Sequence, residues 1–293
     1  MSFFRRKPRN VLTARLAAAG DQPGLARLIE AAELRFLTSD VDEIACLFGR
    51  DPTAVLEEHG RIAGAASFGW RAPPVAWLRT LLLANDVTAA DALGKLGEVL
   101  HPALRHDGVR LAAITLDEWS ATWLRYPLQR LGYQPMVEVV GYEKYRLDRP
   151  AGGNQVVRVR PAQGADLQGV LALDATCFPL PWIKGEEILG PALRSSPFFV
   201  VAEFGGELVG YAFLTGHQGG RLYHLVRIAV APGYQGRGIG VRLLAEVVDY
   251  CSSRRAHVLT LNTQADNHTA QRLYEWFGFT RSGDHQIVMG CEL

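Results

Sequence analysis

Six consecutive residues, Gln235-Gly236-Arg237-Gly238-Ile239-Gly240, carry the strongest chemical signal in the chain. Closely spaced glycines let successive backbone N–H groups turn inward, and a helix start directly behind them adds partial positive charge. Such a loop can take an anion, and a pyrophosphate or a nucleotide phosphate suits it. The same glycines also serve tight packing of a helix against a strand. Spacing excludes two phosphate-binding signatures. There is no G-x-x-x-x-G-K-[ST], and no G-x-G-x-x-G with an acidic residue about 20 positions on at the end of a second strand.

The flanks show what must hold this loop. Leu225, Val226, Ile228, Ala229 and Val230 form a nearly continuous apolar run, as in a strand covered on both faces. Pro232 and Gly233 end it. After the loop, Ile239, Leu243, Val247 and Cys251 recur at helical spacing with Leu244 and Val248 beside them, which predicts a helix with one buried face.

Gln235-x-x-Gly238-x-Gly240, placed after Ile228-Ala229-Val230-x-Pro232, resembles the signature of the GNAT superfamily of N-acetyltransferases. A second block of that family is matched by Asn267-x-x-Ala270-x-x-Leu273-Tyr274-x-x-x-Gly278-Phe279. The resemblance covers residues 156–293. It implies acetyl-CoA as co-substrate, no metal, and transfer of the acetyl group to a primary amine by direct attack. The acceptor is left open between a small molecule and a peptide or protein N-terminus. The pyrophosphate is expected on the backbone of Gly236, Arg237, Gly238, Ile239, Gly240 and Val241, with Gln235 opening the loop. Arg237 and Arg242 either add charge or are solvated. The resemblance further implies that Ile228, Ala229 and Val230 pair with the pantetheine arm and aim one amide at the acetyl oxygen. Oxyanion-type stabilisation of this kind is worth about 10²–10³ in rate per donor.

Asn267 matches the residue that contacts the pantetheine amides, and by its position it also caps a helix. Tyr274 matches the family's tyrosine near the thioester sulfur, where a phenol can protonate the leaving thiolate. The alternative is a core aromatic beside Leu273 and Phe277. For the base, His224 lies four residues before Ile228, on the same strand face by a period of two. In one branch of the superfamily a glutamate at that position deprotonates the amine, and an imidazole can do the same work. A histidine merely satisfied at a strand end reads identically. In the ribosomal-protein alanine branch the base is a glutamate on the next strand; here that position is Asn262, which cannot act as one. Cys177-Phe178-Pro179-Leu180-Pro181-Trp182 is similar to an F-x-x-P-W stretch of those same enzymes. It implies Trp182 as an acceptor wall, with Glu186 and Glu187 as contacts for a cationic amine, although a tryptophan there also serves a core.

A shift of 146 residues lays 55–64 over 201–210, 111–117 over 257–263, and Leu131-Gly132-Tyr133 over Phe277-Gly278-Phe279. The predicted fold is therefore α/β, as two tandem GNAT-like domains, each a central mixed, mostly antiparallel sheet flanked by helices. Residues 1–147 read as a degenerate copy lacking the CoA phosphate loop, since Ala89-Ala90-Asp91-Ala92-Leu93-Gly94 falls over that loop and Asp91 would repel a pyrophosphate. Residues 148–155 read as a linker and 156–293 as the acetyltransferase domain. The fused copy is expected to stand in for a dimer partner, giving a monomer with an internal pseudo-dimer, or else a homodimer. A non-catalytic acyl-CoA-binding or protein-interaction module is the alternative function.

Bulk properties are those of a globular protein. The 293 residues are 48% hydrophobic and 21% charged, enough for a substantial core. A formal net charge of +1 points to neither a nucleic acid nor a membrane as partner. Arg5, Arg6, Lys7 and Arg9 read as a solvated start without the apolar region of a signal peptide. Cys46, Cys177, Cys251 and Cys291 lack metal or disulfide spacing, and a reducing cytoplasm is expected. Trp70, Trp77, Trp119 and Trp123 are assigned to packing.

Overall fold

The computed structural model describes residues 12–38, 51–72 and 74–293, so Cys46, the basic start and the Trp70 side chain lie outside the described residues. The chain divides into two compact units, Met1–Pro135 with Met289–Leu293, and Met136–Val288.

In the first unit, β1 (Thr13–Leu16), β3 (Thr53–Glu58), β4 (Arg61–Ala72), β5 (Val75–Leu83) and β6 (Leu111–Leu116) lie in that order, with β2 (Leu34–Leu37) on β5. Only the β5–β6 pair is parallel among them. The helices are α1 (Gln22–Ala31), α2 (Ala89–His106) and α3 (Glu118–Arg130). Leu93, Leu96, Leu100 and Leu104 form the buried stripe of α2. The Thr88 side chain caps α2, accepting from Asp91 N–H at 3.2 Å and donating to the Asp91 carboxylate at 2.8 Å. A capped helix with its own carboxylate in the first turn therefore occupies the stretch aligned with the glycine loop. The packing role expected for Trp119 is corrected: it is 69% exposed, because it falls on the face of α3 opposite the buried Leu124 and Leu128.

In the second unit, β7 (Gln134–Lys144), β8 (Arg158–Pro161), β9 (Phe198–Phe204), β10 (Glu207–His217), β11 (Leu222–Val230), β12 (Val258–Gln264) and β13 (Thr280–Glu292) lie in the order β13-β7-β12-β11-β10-β9-β8. β11 and β12 run parallel, as a crossover through a helix requires. Helices α4 (Leu167–Cys177) and α5 (Glu186–Ser195) cover one face through Val170, Leu173 and Leu189. Helices α6 (Ile239–Ser253) and α7 (His268–Trp276) cover the other through Ile239, Leu243, Val247, Tyr274 and Phe277.

The boundary between compact units differs from the boundary expected from the repeat. Most of β7, placed in the first copy by the sequence, packs in the second unit, pairing antiparallel with β12 from Leu259 opposite Lys144 to Gln264 opposite Val139. Its Val140 and Tyr142 enter the core under α6 and α7, and buried Lys144 donates to Phe277 O at 2.6 Å just past α7. β13 continues past the second unit, and its last residues belong to the first.

One local device recurs in both units. Arg15 binds Asp21 at 2.7 Å and Glu57 at 2.6 Å; Arg160 binds Asp166 at 2.7 Å and Glu203 at 2.5 Å. Each aspartate also caps a single 3₁₀ turn at the entry to the first helix of its unit. Among the described residues no helix is long and apolar enough to cross a membrane.

Candidate active site

The apolar run before the loop becomes β11, and the glycines do what their spacing suggests. Gly236 and Gly238 both adopt left-handed backbone, φ +74° and +73°, which L side chains rarely enter. Two such residues so close together suit an anion-binding nest of backbone amides. Gly238 is the N-cap of α6, and the first bond of the helix runs from Arg242 N–H to Gly238 O at 3.0 Å. The amides before Arg242 therefore have no partner within the helix.

The loop is tied to the end of β11 by Gln235, whose Nε2 donates to Val230 O at 3.1 Å. The Cys177 thiol donates to the same carbonyl oxygen at 3.4 Å. A Cβ placed on Gly240 would lie 3.8 Å from both the Val230 and the Leu273 side chains. Strand end, glycine loop and the helix bearing Tyr274 thus converge on one place. Arg237 is exposed, its guanidinium 5.2 Å from the centre of the Tyr234 ring. Arg242 is held by Glu246 at 2.7 Å and by Asn154 O at 3.2 Å, so its charge is already engaged.

Tyr274 is 6% exposed and packs between Tyr142 and Phe279, in the same core that Ile228 and Val230 touch. Burial pushes its hydroxyl up to about 12. Asn267 caps α7, its side-chain oxygen accepting from Ala270 N–H at 3.1 Å, and it is exposed.

His224 does not share a face with Ile228, contrary to the expectation from simple alternation. Phe213 pairs with Arg227 and Leu214 with Leu225, leaving Val226 as the extra residue of a β-bulge. Tyr223 and Leu225 before the bulge, and Ile228 and Val230 after it, all meet the core under α6. Val226 and Ala229 meet the core under α4 and α5. The one-residue slip turns His224 away from Tyr274. Its Nδ1 is 2.9 Å from Thr260 Oγ1, and burial, with the positive charge of His217 and Lys184, holds its imidazole down to about 4.

The bulge also delivers a residue that sequence reading missed. Arg227 donates from Nε to Asp174 Oδ2 at 2.9 Å and from Nη2 to Oδ1 at 3.2 Å. Asp174 is completely buried on α4, and further accepts from Lys184 N–H at 2.7 Å and from the Tyr211 hydroxyl. Arg227 also donates to Trp182 O and covers the Phe178 ring at 3.7 Å. This pair therefore pins both ends of the segment 178–184, the expected acceptor wall. Lys184, buried beside Arg227, is held down to about 8. Trp182 follows a cis Leu180–Pro181 bond, and Glu187 lies in the first turn of α5. The signal was present: an aspartate on the apolar side of a helix and an arginine inside an apolar strand run are costly unless paired.

Comparison with known proteins bears on the family. The family model described as Acetyltransferase (GNAT) family matches residues 167–279. The chain is 44% identical over 127 residues to the N-alpha-acetyltransferase RimI of Mycobacterium tuberculosis, covering 41% of this chain and 75% of that protein. It is 30% identical over 143 residues to a putative [ribosomal protein bS18]-alanine N-acetyltransferase of Bacillus subtilis, covering 45% and 92%. In fold it is similar to a tandem GNAT protein from the clavulanic acid biosynthesis pathway, with a TM-score of 0.62 at 13% identity over 96% of this chain and 98% of that one. By these relatives the chain belongs to the GNAT family of acetyltransferases.

Proposed function

We propose that the chain moves an acetyl group from acetyl-CoA to the amine at a peptide or protein N-terminus, by direct attack in the second unit. The observation that carries this reading is the convergence of Val230, Gly240 and Leu273, which gathers the anion nest, the strand end and the helix of Tyr274. Two relatives, named as an N-alpha-acetyltransferase and a putative [ribosomal protein bS18]-alanine N-acetyltransferase, support the acceptor class.

The nest amides of 236–241 hold the pyrophosphate, and the exposed edge of Ile228–Val230 carries the pantetheine arm. Asn267 contributes its amide N–H groups, since its oxygen is engaged in the cap. The amine nitrogen bonds to the thioester carbonyl carbon, the carbon–sulfur bond breaks, and Tyr274 gives its proton to the departing thiolate while the amine loses one to solvent. A tyrosine held up near 12 keeps that proton at any working pH. The acceptor attacks as the neutral amine, since an ammonium has no lone pair to give the thioester carbonyl. The first repeat copy, whose equivalent helix is capped by Thr88, takes no CoA.

The test is turnover. Incubation with acetyl-CoA and a panel of N-terminal peptides and small amines should release free thiol and add one acetyl group to the peptide α-amine. Acetylation of small amines alone would redirect the acceptor class, and binding without thiol release would make the chain a non-catalytic module.

A further inference from the structure

The stretch expected to be a plain linker is built into the back of the phosphate loop. Arg149 Nε donates to Asp249 on α6 at 2.7 Å. Gly153, at φ +69°, presses on the start of α6, where a Cβ would collide with Arg242 N and lie 2.8 Å from Gly238 O. Asn154 then makes two bonds to the loop itself: its Nδ2 donates to Arg237 O at 2.8 Å, and its backbone N–H donates to Gly238 O at 3.1 Å. Its Oδ1 closes a turn by accepting from Val156 N–H at 2.8 Å and Val157 N–H at 3.1 Å.

Peptide geometry gives these bonds a consequence. In a trans peptide the C=O and the following N–H point in opposite directions. Drawing the Arg237 carbonyl toward the Asn154 side chain therefore turns the Gly238 N–H the other way, into the nest, while the Gly238 carbonyl is also held by the Arg242 N–H at 3.0 Å. Without that tether, two left-handed glycines have wide conformational freedom, and aiming the amides costs entropy when the anion binds.

We propose that Asn154 is a positioning residue for the donor nucleotide, its side chain fixing the Gly238 amide toward the pyrophosphate before it arrives. This rests on the reading of the glycine loop as the acetyl-CoA site. Asn154 touches no reacting atom; it acts through the loop, and so affects the nucleotide half of the donor alone.

Calorimetric titration of the full chain with acetyl-CoA, with phosphoadenosine diphosphate as the nucleotide half, and with S-acetylpantetheine as the thioester half separates the possibilities. Asn154→Ala should weaken acetyl-CoA and the nucleotide half by about tenfold each, the scale of one neutral hydrogen bond. It should leave S-acetylpantetheine at the wild-type value. Asn154→Ser, which keeps a side-chain acceptor for the turn but cannot reach Arg237 O, should behave alike and carries the comparison if the alanine variant does not fold. Acetyl-CoA affinity at the wild-type value in both variants, or equal losses on both halves, would overturn the proposal. A wild-type chain that binds neither acetyl-CoA nor its nucleotide half would instead overturn the loop as the donor site, and this inference with it.

Discussion

Asp174 on α4 and Arg227 on β11 form a buried ion pair, Nε to Oδ2 at 2.9 Å, with side-chain exposures of 0% and 8%. Removing one partner strands the other charge away from water. Asp174→Ala should therefore cost about 3–5 kcal/mol in denaturant unfolding. Replacing both with apolar residues, Asp174→Leu with Arg227→Met, should recover most of that stability. Activity should not recover, because Trp182 O and Lys184 N–H lose the groups that hold them. A double variant with wild-type kcat/KM would show that the pair only packs and does not position the acceptor wall.

His224 was the expected base, titrating near the ordinary histidine value. The structure moves that expectation. Held down to about 4, the imidazole is neutral throughout the physiological range. Its folded value lies below its unfolded value of about 6.5, so the unfolded chain binds more protons between the two. The contribution of His224 to stability is thus complete above about 6.5 and is lost as pH falls through about 4. His224→Gln should flatten the fall in Tm across that window. The kcat/KM profile near neutrality should keep its shape in the variant. A limb near 6.5 that disappears with His224 would restore it as the base.

For the acid, Tyr274→Phe keeps the contacts with Tyr142 and Phe279 and removes only the proton. Loss of a general acid lowers kcat by about 10²–10⁴. Affinity for acetyl-CoA should stay close to wild type. Unchanged kcat, measured where chemistry limits the rate, would return Tyr274 to a core role.

What the sequence made legible follows from how local each signal is. The strand before the loop, the glycines at positive φ, the capped helix at Asn267 and the Gly278 stop depend on neighbours within a few residues, and all stand where expected. Asn154 bonds to Arg237 across 83 positions of sequence and Asp174 to Arg227 across 53, beyond the reach of any local pattern. The bulge at Val226 escaped notice because alternation is blurred in a strand that is apolar on both faces, and one extra residue there reverses His224. Pairing of β7 with β12 follows from a long-range register that no single-segment pattern carries.

That register has a practical consequence. A fragment of residues 154–293 matches the second repeat but lacks β7, and so exposes the β12 edge from Leu259 to Gln264 together with part of the core once covered by Val140 and Tyr142. Open edges recruit other strands. Sedimentation should show this fragment self-associating or aggregating, whereas a fragment beginning at Met136 should remain more soluble. Equal, monomeric behaviour of both would mean that β7 adds nothing to the second unit.

The central claim is that the nest of Gly236 and Gly238 is the donor site and that it occurs once per chain. Calorimetric titration of the full-length protein with acetyl-CoA, beside Gly238→Glu, tests it most directly. The expected result is a stoichiometry near one for the wild type and no measurable binding for the variant, whose side chain would place a strained backbone and a carboxylate in the cradle. Two equivalent sites per chain, or undiminished affinity in Gly238→Glu, would contradict it.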